Sequence, residues 1–267
     1  MPNTKALRSR IKSVSSTLQL TKAMGLVASS KIYKANLAMQ RARQYSAAFD
    51  KAIADLTTDS ECLKSPYMRN SEDEEKICLV VIAGDRGLAG GYNANVFRLT
   101  ATFPGAKIYP IGKRACDRYG QGINSSEDFS FAQAHELSDK LCTEFAEGKF
   151  TKLGVIYTRY VSMMTQEADV CWLLPLKKQE TENIVSSVYE PDPITVLNFT
   201  VREYVAGILS ACVRESFASE VSARRMAMDS AGKNAKEMID DLQLQYNRAR
   251  QGAITQEITE IVAGSGQ

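Results

Sequence analysis

Proline is almost absent from two long stretches of this 267-residue chain: of its seven prolines, only Pro2 lies outside the span from Pro66 to Pro193. Proline interrupts a helix by removing a donor and clashing with the preceding turn, so the sequence predicts unbroken helices from Thr4 to about Leu56 and from about Leu197 to Val262. Glycine is as scarce there, with Gly25 alone in the first arm and Gly207, Gly232 and Gly252 inside the second. At about 1.5 Å per residue these arms would be rods of roughly 80 and 95 Å, far longer than the ~12-residue helices that pack a globular core. Such geometry suggests a shaft before it suggests an active site.

Other absences narrow the function. The six cysteines, at 62, 78, 116, 142, 171 and 212, include no CxxC pair, which argues against a zinc site, a dithiol motif or a disulfide framework and predicts buried, reduced thiols. The single histidine, His135, falls in a helical stretch of mixed polarity and reads as a solvated or capping side chain rather than a proton shuttle or metal ligand. GxSxG, HExxH and clustered carboxylate pairs are missing, so neither a catalytic group nor a cofactor or metal site is indicated. No apolar run approaches the ~20 residues of a membrane span, and the basic N-terminus lacks the apolar block of a secretory signal. The expectation is a protein that is cytosolic or peripheral to a membrane, with no direct insertion.

What is present is a heptad seam. Steps of four and three from Leu7 pass through Ile11, Val14, Leu18, Thr21, Gly25, Ala28, Ile32, Ala35, Met39, Ala42, Ser46, Phe49, Ile53 and Leu56. Small residues dominate its centre, and the second arm has a matching small set, Ala223, Ala227, Ala231 and Ala235, followed by Met238, Leu242 and Tyr246. Arms at opposite ends of one chain are expected to pair with each other, antiparallel. Further apolar residues at Leu20, Met24, Leu26, Val27, Tyr33, Ile254, Ile258, Ile261 and Val262 leave more than one greasy face, which suggests a rod held in a sleeve of other chains. The first arm is also basic: ten Lys or Arg between Lys5 and Lys51 stand against only Asp50 and Asp55, which suits an acidic partner. Nucleic acid is not favoured, because no aromatic residues interleave with the charge to stack bases. The acidic run from Glu72 to Glu75 reads as a solvated loop.

Between the arms the pattern changes to α/β. Ile77 to Ala83 is a continuous apolar run suited to a buried parallel strand, with further strands expected at Lys107 to Ile111, Leu153 to Tyr160, Val170 to Leu176 and Ile184 to Tyr189, and helices near Asn93 to Thr102 and Phe131 to Glu147. The fold class read from this is mixed: a long antiparallel coiled coil of N- and C-terminal helices plus a central Rossmann-like α/β domain with an open, mostly parallel sheet. Its parts are 1–60, 76–190 and 195–267. The glycine loop from Gly84 to Gly91 matches neither GxGxxG nor the P-loop, and so reads as a tight structural turn or a protein-contact loop rather than a phosphate cradle.

Long blocks of the chain resemble one family. Ile11-Lys12-Ser13-Val14, Leu20-Thr21-Lys22-Ala23-Met24, Val27-Ala28 and Lys31 are similar to the first helix of the gamma subunit of F-type ATP synthases of bacterial type. Asp85-Arg86-Gly87-Leu88, Gly90-Gly91-Tyr92-Asn93, Tyr189-Glu190-Pro191-Asp192-Pro193, Ala218-Ser219-Glu220 with Arg224, Met226 and Met228, and then Tyr246-Asn247-Arg248-Ala249-Arg250-Gln251, Ile254-Thr255-Gln256-Glu257 and Thr259-Glu260-Ile261-Val262 follow in the family's order. The resemblance implies a non-catalytic rotor shaft without cofactor or metal. Its partners would be three alpha and three beta subunits, an epsilon subunit and a membrane c-ring.

Residue by residue, the resemblance implies that Arg248, Arg250 and Gln251 meet a catch loop of beta, and that Lys22, Met24, Lys31 and Arg224 face its acidic lever loop. Ile254, Ile258 and Val262 would form the tip in an apolar bearing, and Tyr189 and Glu190 the foot on the c-ring and epsilon. It implies a peripheral position on the cytoplasmic face of a bacterial membrane, or the matrix side for a processed organellar chain. Gly84 and Ala89 stand where the family often has serine and cysteine, and the regulatory dithiol of chloroplast members has no counterpart in sequence, so redox control of that type is not expected. Two other readings compete: an α/β nucleotide-binding enzyme with coiled-coil arms, and a basic coiled-coil adaptor on nucleic acid or membrane.

Overall fold

The computed structural model of the chain describes residues 4–69, 76–178 and 189–264. The acidic run at 72–75 and the expected strand residues 184–188 lie outside them. The first arm is one helix, α1 (Thr4–Thr57), of 54 residues. Two short 3-10 turns follow, Ser60–Lys64 and Pro66–Met68, where Asp59 and Ser65 each accept a hydrogen bond from a backbone N–H two residues on. The middle of the chain then runs β1 (Ile77–Ile82), α2 (Tyr92–Thr100), β2 (Lys107–Ile111), α3 (Lys113–Tyr119), α4 (Phe131–Ala146), β3 (Lys152–Tyr160) and β4 (Gln166–Leu174). It ends in α5 (Pro193–Gly264), of 72 residues. α5 starts four residues before the sequence expectation for a local reason. Asp192 accepts from the Thr195 backbone N–H at 2.9 Å and from its hydroxyl at 2.7 Å, and Pro193 sits where a missing N–H costs nothing.

The strands form one four-stranded sheet of order β2-β1-β3-β4, parallel except for β4, which returns antiparallel to β3. A continuous apolar strand such as β1 must be covered on both sides. One face, with Leu79, Val81 and Ile156, packs on Val96 of α2 and Ala115 of α3. The other, with Cys78, Val80, Ile82 and Val155, packs on α4 and on Leu197 to Val213 of α5, and the C-terminal end of α1 joins that cluster through Ile53 and Leu56. β4 begins earlier than the sequence suggests because its first half alternates half-buried and exposed positions, which hides it among charged residues. A register shift between Leu153 and Gly154 lets Trp172 lie across Gly154, where a Cβ would come 2.8 Å from the ring. α3, which the sequence did not disclose, starts at Gly112 with φ of 94°, where a Cβ would fall 1.9 Å from the Ala83 carbonyl oxygen.

Two compact units account for the chain: Met1–Ala28 with Arg224–Gln267, and Ser29–Ala223. Both long helices contribute to each. Every residue of the predicted seam of α1, from Leu7 to Leu56, is buried or half-buried. The α5 seam needs a correction. Met238 is exposed, at 45%, and the buried register instead runs through Met228, Gly232, Ala235, Ile239, Leu242, Tyr246 and Ala249. The Met238 reading took a step of three after Ala235, whereas the seam reaches Ala235 from Gly232 by three and takes its step of four next, to Ile239.

α5 also contains an eighteen-residue window apolar enough, by composition, to cross a bilayer; 56% of that window is buried inside the protein. The burial deepens further along α5, where from Val205 to Ser222 only Ser210, Arg214 and Phe217 are not buried. That helix segment is enclosed on nearly all sides by protein, a core helix by its packing.

All six cysteines are free thiols. Burial pushes the Cys62 and Cys142 thiols up to about 11 and that of Cys78 to about 12. Cys171 and Cys212, remote in sequence, meet between β4 and α5: Cys212 donates a hydrogen bond that lowers the Cys171 thiol and raises its own. The half-buried positions of Cys116 and Cys171 depart from the expectation of six buried thiols.

Candidate partner-binding surfaces

In the unit of Met1–Ala28 and Arg224–Gln267, small residues set how closely the two helices approach. A Cβ on Gly25 would stand 3.7 Å from the Cβ of Met228, and one on Gly232 would stand 3.7 Å from the Thr21 hydroxyl and 3.8 Å from Leu18. The residue number rises on one helix as it falls on the other, so the partners run in opposite directions. Around this seam Lys22 is exposed, while Met24 and Arg224 are half-buried. Further along α5, Arg248, Arg250 and Gln251 are exposed on either side of half-buried Ala249. From Ile254 to Gly264 every residue is exposed, including Ile254, Ile258, Ile261 at 70% and Val262. Spacings of four, three and one put those four on one face of the helix, an apolar stripe left to solvent.

In the unit of Ser29–Ala223, Lys31 is not a bare cation. Its ammonium pairs with the Glu127 carboxylate of the loop before α4. Tyr189 packs against the main core, and Glu190 beside it is exposed. His135 lies 3.1 Å from the Glu203 carboxylate and edge-on to Phe131, so it joins α4 to α5 rather than standing in water or capping.

The glycine loop after β1 is built around Asp85. Its carboxylate accepts from the backbone N–H groups of Ser126 at 2.9 Å, Glu127 at 3.1 Å and Lys113 at 3.2 Å, and from the hydroxyls of Ser125 and Ser126. Burial alone would raise this carboxyl; the hydrogen bonds outweigh burial and hold it below the usual carboxylate range. Gly84 N–H donates to the Asn93 side chain at 2.9 Å. The Gly84 N–H is therefore taken by Asn93, and the Asp85 carboxylate sets a negative charge in the loop that repels an anion. The loop is a structural turn. Among the described residues, no group of three or more His, Cys, Asp or Glu could hold a metal ion.

Several polar residues that hold this unit together were not legible as such. Arg43 of α1 reaches Glu215 of α5 with both carboxylate oxygens engaged, at 2.7 and 3.2 Å, and Glu215 also accepts from Tyr160 N–H at 2.9 Å. Arg214 donates to the carbonyls of Phe129 at 2.6 Å and Glu127 at 3.4 Å. The available signal was a charged pair, Arg214-Glu215, set inside an apolar helical stretch, since charges in such a place must find partners.

The sequence profile of the family described as "ATP synthase" matches residues 3–266. The ATP synthase gamma chain of Ruminococcus albus is 39% identical, over 99% of this chain and 98% of its own length. That agreement runs through both helices and the α/β layer alike. The chain belongs to the gamma-chain family of ATP synthases. A sodium-ion-specific gamma chain of Acetobacterium woodii is 36% identical over 98% of each chain. Among solved structures, a chain of the Euglena gracilis mitochondrial ATP synthase OSCP/F1/c-ring assembly aligns with a TM-score of 0.72 at 17% identity, covering 98% of this chain and 93% of that one. A chain of the Tetrahymena thermophila central stalk and c-ring aligns at 0.61 with 20% identity, covering 79% and 99%. These likenesses carry the fold. A gamma chain is a subunit of the synthase and not its catalytic one.

Proposed function

We propose that this chain is the central rotor shaft of an F-type ATP synthase, coupling ion-driven rotation of a c-ring to conformational changes in three beta catalytic sites. The observation that carries this is the seam of small residues along which helices from opposite ends of a gamma-family chain meet head to tail, Gly25 against Met228 and Gly232 against Thr21. On this reading residues 1–60 and 195–267 form an antiparallel coiled coil standing inside a ring of three alpha and three beta subunits. Residues 76–190 form the α/β foot beside epsilon and the c-ring. The chain is peripheral to the membrane, on the cytoplasmic side for a bacterial source.

The shaft makes and breaks no bond. Rotation changes which of its faces each beta subunit meets, and it shifts beta between conformations only as far as its contacts favour one conformation over another. A shaft touching all three alike would shift nothing. Exposed Arg250 and Gln251, with Arg248, are the groups offered to a beta catch loop. Lys22, Met24, Lys31 and Arg224 face an acidic lever loop, Ile254, Ile258 and Val262 seat the tip, and Tyr189 and Glu190 contribute to the foot. Lys31 reaches beta only by exchanging Glu127 for a carboxylate of the partner.

Hydrogen bonds to charged groups are worth about 1.5–3 kcal/mol each, so losing both catch-loop contacts should slow turnover about tenfold or more. The test is ATP turnover by the reconstituted complex carrying Arg250→Ala with Gln251→Ala. Normal assembly with unchanged turnover would remove their assigned role.

A further inference from the structure

The α/β layer of the unit Ser29–Ala223 is joined to α1 and α5 in two ways. One is apolar packing, which is non-directional and resists sliding only through the interlocking of its side chains. The other is a set of directional polar contacts: some tie α4 to α5 alone, the Ser138 hydroxyl donating to the Arg202 carbonyl at 2.7 Å, Arg202 pairing with Asp139 and His135 lying beside Glu203, and two junctions touch both helices.

At the first junction, β1 pairs with β3 only as far as Ile156, which leaves the far end of β3 without a strand on that side. α5 occupies the place. Thr158 N–H donates to the Ser216 hydroxyl at 3.0 Å, the Ser219 hydroxyl donates to the Thr158 carbonyl at 3.0 Å, and Tyr160 N–H donates to Glu215 at 2.9 Å. Arg43 of α1 closes the same knot, donating to Glu215 and, at 3.2 Å, to the Tyr160 carbonyl. Glu215, Ser216 and Ser219 are buried, so water competes little for these bonds.

The second junction is the segment 125–129. Asp85 grips it from the sheet side, Lys31 of α1 pairs with Glu127, and Arg214 of α5 holds the carbonyls of Glu127 and Phe129. Phe129 is itself locked in the core at 1% exposure.

We propose that these two junctions are the clamps through which torque passes between the α/β layer and the two helices, with Arg43, Glu215 and Arg214 as positioning residues for rotary coupling. The inference rests on the rotor reading above. An apolar interface alone opposes a turn of the helices against the sheet through side-chain interlocking, with no contact of fixed direction. Bonds with fixed direction at two separated points oppose such a turn.

The experiment uses the assembled synthase in membrane vesicles, measuring ATP hydrolysis and ATP-driven ion pumping on the same preparation. Arg43→Met, Arg214→Leu and their combination should leave hydrolysis within about twofold while ions pumped per ATP fall, by about fivefold in the double variant. Arg43→Lys, which keeps the charge but not the two-point grip, should fall between Arg43→Met and wild type. Leu141→Ala, a cavity variant in the buried core of α4, serves as a control for lost stability and should keep the wild-type ratio. If assembly fails for Arg43→Met, the milder Ser219→Ala and Arg43→Lys carry the same ratio measurement.

Wild-type ratios in every clamp variant, or a ratio that falls as far in Leu141→Ala, would overturn the clamps and leave the rotor reading standing. A wild-type chain that neither assembles with alpha and beta nor supports pumping would overturn the rotor reading itself.

Discussion

Asp85 shows what a single side chain contributes. It lies in the Asp-Arg-Gly-Leu block that marks the family, yet its work is internal: one carboxylate satisfies three backbone N–H groups from two segments. Its folded pKa is lowered, so its stabilisation is complete above the unfolded value of about 3.9 and is lost as pH falls through the lower folded value. Asp85→Asn should therefore cost about 2 kcal/mol in urea unfolding of the chain at pH 7, and progressively less in acid. A penalty independent of pH would show that the charge is not what matters. The residue identities were legible here and the partners were not, because Ser125, Ser126 and Glu127 come together with Asp85 only through the crossover from β2 to α4. The same limit hid Cys171 beside Cys212 and Arg43 beside Glu215: side chains that meet across elements leave no mark in local spacing.

At the scale of elements, the absence of proline gave both long helices to within four residues at their ends, and apolar continuity gave β1 and β2. What stayed hidden had a weak local signal. α3 is seven residues long, too short for a periodic pattern, and β4 carries charge along its edge. The phase of the α5 seam was misread at Met238, since the alanine series in steps of four does not show where the alternation takes its step of three, which falls between Gly232 and Ala235 and places Ile239 inside. The seam glycines give a test of packing against propensity. Gly25 and Gly232 have ordinary helical backbone and room for a methyl, with the nearest heavy atoms at 3.7 Å. Alanine at either should raise stability by up to about 1 kcal/mol, whereas leucine at Gly25 should lower it by forcing the helices apart. Thermal unfolding followed by circular dichroism decides between them, and a destabilising Gly25→Ala would mean the helices need to approach more closely than this.

For the molecule as a whole, stability and function separate along α5. The segment from Val205 to Ser222 is enclosed by protein, while every residue from Ile254 to Gly264 is exposed. Removing the chain from Ile254 on should shift its unfolding free energy by less than about 0.5 kcal/mol, since none of the described side chains lost is buried, while turnover of the assembled complex falls. A large loss of stability would mean that this end is part of the folded core. The apolar stripe of Ile254, Ile258, Ile261 and Val262 also bears on supply. A copy synthesised in excess of its companions carries a greasy terminus into the cell, where it invites clumping and proteolytic disposal. The exposed end of one helix thus makes a surplus copy of this chain costlier to keep than its buried core would suggest.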